Sequence, residues 1–159
     1  MCFIIYIVHD KCFEWPIMKT LLLLVFATLS IHNVYCAMSE AQMKAALKLV
    51  RNVCQPKFKA TNEQIDAMHK GDWELEKNAK CYLWCILNMY KLITKDNAFD
   101  WEAGIVTLTN QAPESIRTPA IISVKNCKDA VQTPSDKCAA AYEIAHCMYL
   151  DNPENYFLP

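Results

Sequence analysis

Between residues 39 and 150 apolar side chains recur at spacings of three and four, and no stretch sustains the period-two alternation of a half-buried strand. The first periodic segment spans 39–53. Met43, Ala46, Leu47, Val50 and Val53 take one side of it, and Lys44, Lys48 and Arg51 the other. Ser39, with Gln42 three residues on, forms a capping-box pair at its start. Thr61 with Gln64 opens a short second helix, which carries Ile65 and Met68 and closes at Gly71. The third helix, over 76–94, is apolar around most of its circumference, which places it at the centre of a bundle. Asp100 caps a fourth over 100–110, and Gln111-Ala112-Pro113 is a break. Thr118-Pro119 supplies an N-cap and a first-position proline for a fifth helix ending near 131. Thr133-Pro134 repeats that device for a sixth, reaching about 150. The remaining residues cannot be a helix interior and end in Tyr156-Phe157-Leu158.

Composition supports the same class. With only two glycines, Gly71 and Gly104, tight Asn-Gly or Gly-Gly hairpins are essentially unavailable. The expectation is an all-α bundle of six helices.

The front of the chain belongs to a different argument. Met18-Lys19 and the run Thr20 to Leu29 form a short positive region followed by an apolar one, too short to cross a bilayer. Val34 and Cys36 stand at minus three and minus one of a cleavage before Ala37. Residues 18–36 are therefore expected to be a secretory signal peptide, and 1–17, upstream of a natural start at Met18, an extension outside the fold. That leaves 37–159 as one secreted, extracellular domain with room for a single core.

Of 16 basic and 17 acidic residues, Lys11, Lys19, Asp10 and Glu14 precede this domain, so it carries 14 and 15 and is nearly neutral. No basic stripe interleaved with aromatics is present, which argues against a nucleic-acid partner. No later apolar run is long enough for stable membrane insertion.

The domain contains six cysteines, spaced C-x26-C-x3-C-x41-C-x10-C-x8-C from Cys54 to Cys147. Downstream of a secretory signal, an even set implies a disulfide framework. Cys81 and Cys85 lie one turn apart on one helix face, so each should reach a different element. Cys138 and Cys147 leave opposite sides of the sixth helix. Removing those two pairs leaves ten of the fifteen connectivities open. Metal binding by Cys81, Cys85, His146 and Cys147 is the competing reading. It lacks the two-residue knuckle gaps and His-x3-5-His pairs of zinc sites, so no metal is expected.

This spacing, in a secreted six-helix chain, resembles that of the insect odorant-binding proteins of the pheromone-binding and general odorant-binding family. The x3 and x8 gaps are that family's most rigid features, and the resemblance covers about 38–159. The strings Cys54-Gln55-Pro56-Lys57-Phe58-Lys59, His69-Lys70-Gly71-Asp72 and Phe157-Leu158-Pro159 are similar to the LUSH-like subgroup. The resemblance implies a compact, disulfide-stapled bundle enclosing an apolar cavity, with pairs Cys54–Cys85, Cys81–Cys138 and Cys127–Cys147. By the same resemblance the ligand-binding residues are Val50, Ala79, Leu87, Leu92, Phe99, Leu108, Val124, Ala141, Ile144, Met148, Phe157 and Leu158. All are apolar. Leu87 and Leu92 stand where some relatives carry hydroxyls, which points to a more apolar or longer ligand than a short-chain alcohol.

No Ser-His-Asp string, nucleophile elbow, phosphate loop or zinc motif occurs, and the domain has only two histidines, His69 and His146. No enzyme activity and no cofactor are expected. The resemblance implies a carrier, a monomer or weak homodimer, that binds and solubilises small hydrophobic odorants or pheromones and delivers them to an odorant receptor. The alternatives are a non-olfactory carrier of lipophilic ligands in another secreted fluid and a solid bundle acting through its surface. His69 or His146, with the Tyr156-Phe157-Leu158 tail as a lid, would link release to pH.

Overall fold

A computed structural model of the chain describes residues 37–159; the expected extension 1–17 and signal segment 18–36 lie outside the described residues. Six α-helices follow in order: α1 Glu40–Phe58, α2 Asn62–His69, α3 Lys77–Met89, α4 Trp101–Gln111, α5 Glu114–Asn126 and α6 Lys137–Asp151. A single 3-10 turn, Pro153–Asn155, leads into the tail. Among the described residues the one β feature is an isolated antiparallel bridge, Ile93 to Phe99.

The local signals at the front of the domain act as expected. The Ser39 hydroxyl accepts from the Gln42 amide at 3.3 Å, while the Ser39 amide donates to Gln42 Oε1 at 2.8 Å. Thr61 and Gln64 form the same reciprocal pair. Gly71 has φ +88°, and a Cβ there would stand 2.8 Å from the Tyr149 hydroxyl, so both the turn and the packing call for glycine.

Five boundaries differ from the sequence expectation; one is the end of α5, which stops at Asn126, with Cys127 as its C-cap, rather than near 131. Helix α1 continues through Pro56 to Phe58, one turn further, and stops where Lys59 turns left-handed at φ 55°. The proline forfeits one helical bond, but the turn is held from outside by Cys54 in its disulfide and by Phe58 edge-on to Trp84 at 6.1 Å. Helix α3 ends at Met89 instead of 94. Lys91 at φ 57° reverses the chain, and the Leu92 amide returns to the Leu87 carbonyl at 2.8 Å.

Helix α5 starts at Glu114, leaving Pro119 inside it. Its first turn is braced by Arg117, which donates to the Ala112 carbonyl at 2.9 Å and to Glu114 at 3.0 Å. Helix α6 starts at Lys137, where Asp136 accepts from the amides of Cys138 and Ala139. Thr133 does not cap it, because its hydroxyl and amide are taken by the Glu143 carboxylate at 2.7 and 3.0 Å.

Helix α3 is the axis. Ala79, Cys81, Tyr82, Leu83, Cys85, Ile86 and Leu87 are buried along it, and its most extensive packing is against α6, then α1. Three disulfides link Cys54 to Cys85, Cys81 to Cys138 and Cys127 to Cys147, the pairs that the resemblance implies. They join α1 to α3, α3 to α6, and the end of α5 to α6.

These links close chain separations of 31, 57 and 20 residues. In the chain-entropy account their contributions are about 3.7, 4.2 and 3.3 kcal/mol. Replacing Cys81 and Cys138 by alanine is therefore expected to cost most and replacing Cys127 and Cys147 least, measured by urea unfolding of each variant. The reverse order would show that strain or residual unfolded structure, not loop length, sets their value.

Candidate functional site

A cavity of about 140 Å³, partly open at its rim, lies between α1, α4, the loop after α3 and the tail. Met43, Ala46 and Leu47 reach it from α1; Gly104, Thr107, Leu108 and Gln111 form one stripe of α4 at helical spacing. The 90–99 loop contributes Tyr90, Leu92 and Phe99, and Val124 and Met148 enter from α5 and α6. Phe157 and Leu158 close it, with Met38 and Ala112 completing the lining. The early end of α3 matters here. Reversal at Lys91 and the Ile93–Phe99 bridge deliver Leu92 and Phe99 to the cavity, which a continuing helix would not have done.

Thr107, Gln111 and Tyr90 are the only polar side chains of the lining, no charged group is among them, and the accessible surface is almost entirely carbon. Tyr90 is half-buried, and desolvation raises its phenol above the ordinary range.

Seven of the twelve residues expected to meet a ligand are brought together: Leu92, Phe99, Leu108, Val124, Met148, Phe157 and Leu158. The other five lie outside this lining. Ala79 and Leu87 on α3, and Ala141 and Ile144 on α6, are wholly buried in the two helices that pack most extensively on each other, away from the cavity lining. Val50 is buried on α1 but outside the lining. Of the two leucines at possible hydroxyl positions, only Leu92 lines the cavity. Ala46, Met43 and Leu47 could have been found from the apolar face of α1, and Thr107 and Gln111 from their spacing around Leu108. Met38 carried no sequence signal.

The wall made by the tail is held by aromatic packing. Tyr156 meets Trp73 at 5.7 Å, Tyr149 at 5.5 Å and His69 at 5.4 Å between ring centroids. His146 stacks on Trp73 at 4.9 Å and 26°. Buried Tyr82 donates its hydroxyl to the Pro159 backbone oxygen, and desolvation pushes that phenol up to about 12. The Trp73 indole N–H has no hydrogen-bond partner among the described residues, a burial that costs about 1–3 kcal/mol. Both histidines have pKa values below the ordinary histidine value. For His69 the causes are desolvation first and then the nearby Arg51 charge, opposed by Asp66; for His146 the cause is desolvation.

On the outer side of the tail lies an open groove of about 840 Å³. Met43, Leu47, Phe157 and Leu158 line both spaces and so form the partition between them. Among the described residues no three His, Cys, Asp or Glu side chains group as a metal site would need, and no helix is long and apolar enough to cross a membrane.

Fold and site thus define a class: a six-helix bundle, cross-linked by three disulfides, built around a small apolar cavity. The PBP/GOBP family model matches residues 36–151, and the chain belongs to that family. It is 31% identical over 137 residues to general odorant-binding protein 19a of Drosophila melanogaster, covering 82% of this chain and 93% of that one. General odorant-binding protein 72 of Anopheles gambiae is 28% identical over 121 residues, 76% of this chain and 99% of its own. Among solved structures, odorant binding protein 4 of Chrysopa pallens superposes with a TM-score of 0.70 at 40% identity, covering 77% of this chain and 99% of that one. Odorant binding protein 5 of Apis mellifera gives 0.71 at 27% identity, covering 78% and 100%.

Gly104 offers a test of the cavity wall. A Cβ added there would approach Val124 Cγ1 at 3.4 Å and Leu92 Cδ2 at 3.6 Å, side chains that can yield. Removing a mid-helix glycine is worth up to about 1 kcal/mol. Gly104→Ala is expected to raise stability by roughly 0.5–1 kcal/mol in urea unfolding while narrowing the cavity; a destabilised variant would mean that this wall is rigid.

Proposed function

We propose that the protein is a secreted carrier that takes small hydrophobic odorants or pheromones into this cavity, keeps them in solution and delivers them to a receptor. The observation that carries the reading is the cavity itself: about 140 Å³ of almost purely apolar space, closed by a tail that no disulfide anchors beyond Cys147. Engineered cavities of about 150 Å³ stay dry and admit benzene-sized ligands, so a six-carbon group is the natural occupant. Burying roughly 150–200 Å² of such a ligand contributes about 4–5 kcal/mol before the cost of association.

The signal segment 18–36 and the run of disulfides support secretion after cleavage before Ala37. The strings around Cys54 and Gly71 support placement in the LUSH-like subgroup. The expectation for oligomeric state is a monomer or weak homodimer. Transcripts absent from olfactory tissue would move the same carrier to a non-olfactory fluid.

Displacement of a fluorescent apolar probe tests the reading directly. The wild-type protein should bind the probe, and Ala46→Phe, which places a ring in the cavity, should weaken binding by about tenfold or more with helical circular dichroism retained. A protein that binds no apolar probe is a solid bundle, and the carrier reading falls.

Release is linked to pH through the two histidines. Packing against Trp73 and Tyr156 favours their neutral forms, so their folded pKa values lie below the unfolded value of about 6.5. The unfolded chain, or one with a detached tail, therefore takes up protons first as pH falls. Stability is fully present above about pH 6.5 and is lost as pH drops through the folded values. The carboxylates of Asp136, Glu143 and Asp151, all lowered, act only in the more acidic window. Probe affinity and urea midpoint should both decline from pH 7 to 5, and the decline should flatten in His69→Gln/His146→Gln. Unchanged affinity across that range would rule out the switch.

A further inference from the structure

The inner cavity has room for only about six carbons, and its partition carries two ridges of different chemistry on α1. Met43 and Leu47 form the apolar ridge. Lys44, Lys48 and Arg51, at i, i+4 and i+7 and about 100° further round the helix, form a cationic ridge in the outer groove. The two ridges meet where Phe157 and Leu158 cross, so the same few side chains are oily on one side and border three positive charges on the other.

Those charges are available. Arg51 is held by neutral amides, at 3.2 Å to Gln55 Oε1 and 2.9 Å to Asn62 Oδ1. Among the described residues none of the three forms an ion pair. The groove's side-chain carboxylates are Glu40, which accepts from the Ser115 hydroxyl at 2.7 Å, and Glu154; Pro159, whose backbone oxygen accepts from Tyr82, also lines it. His69 also faces the groove and favours its neutral form.

We propose that the protein takes anionic amphiphiles of the long-chain carboxylate type, with the end of the hydrocarbon chain in the inner cavity, the chain passing between Met43, Leu47, Phe157 and Leu158, and the carboxylate held by Lys44, Lys48 and Arg51. This rests on the carrier reading and names a ligand class for it. A chain longer than about six carbons outgrows the inner space and must emerge through the partition. There a neutral end finds only the neutral partners of the groove, such as Asn52 and Asn155, whereas a carboxylate also meets three cationic donors.

The test compares dodecanoate with methyl dodecanoate, below micellar concentrations, as displacers of N-phenyl-1-naphthylamine from the disulfide-bonded protein expressed from the full chain. Dodecanoate should bind about tenfold more tightly than the ester at low ionic strength, and the gap should shrink as salt rises. In Lys44→Gln/Lys48→Gln, which alters two exposed side chains, the carboxylate should lose about fivefold relative to the ester, and adding Arg51→Gln should bring the two ligands near parity. Should the triple variant fail to fold, the double lysine variant decides. Equal binding of acid and ester by the wild-type protein, or a carboxylate preference undiminished by loss of the lysines, overturns the proposal while leaving the carrier intact. Failure to bind the naphthylamine probe at all overturns both.

Discussion

Two cysteines one turn apart on α3 organise the molecule. Cys81 and Cys85 leave the same face of the most buried helix, and each is bonded to a different neighbour, α6 and α1. A third bond, Cys127 to Cys147, fixes the end of α5 against α6. The arrangement lets a domain of this size tolerate a hole. An unfilled volume of 140 Å³ costs about 3 kcal/mol at the slope seen for engineered cavities, and one disulfide contributes about as much. Packing alone would press toward closing the space; the covalent frame removes the unfolded conformations that would otherwise exploit it.

The frame also decides where the cavity lies. The α3–α6 contact, pinned by Cys81–Cys138, is filled by small and wholly buried residues such as Ala79, Ala141 and Ile144. The void sits away from that seam, against α4 and the 90–99 loop, elements that carry no disulfide themselves. The α3–α6 seam is thus solid, and the hollow lies where α4, the 90–99 loop and the tail complete a wall against α1.

What was legible in the chain follows the range of the interactions. Capping boxes at Ser39 and Thr61 and the cap at Asp100 need only neighbours within three residues, and they stand where the pattern placed them. Thr118-Pro119 and Thr133-Pro134 looked like equally good starts and were not, because distant partners intervened. Glu143, ten residues on, takes Thr133, and Pro113 with the Arg117–Ala112 contact opens α5 early. The end of α3 gave no warning either, since Lys91 and Asn97 rather than glycines adopt positive φ. The same limit applies to the site. Apolar residues on α3 and α6 look alike in sequence whether they face a neighbour or a void, so Leu87 and Ile144 could not be told from Leu92 and Met148. The path of the 90–99 loop separates Leu92 from Leu87, and one turn of α6 separates Met148 from Ile144.

The tail is the one wall of the cavity that lies beyond the last disulfide. After Cys147 no covalent bond restrains the chain, and Phe157 and Leu158 keep the cavity shut through Tyr156 in its aromatic cluster and the Tyr82–Pro159 hydrogen bond. Detaching the tail would break no helix and no disulfide, the kind of local opening that costs less than global unfolding. The cluster is also imperfect in a particular way. It buries one indole N–H without a partner and packs two histidines that resist protonation where they are. Both features lower the cost of parting this wall relative to any wall tied by sulfur. A ligand that reaches through the partition would add its own contacts to Phe157 and Leu158, so binding and closure would share the same few residues.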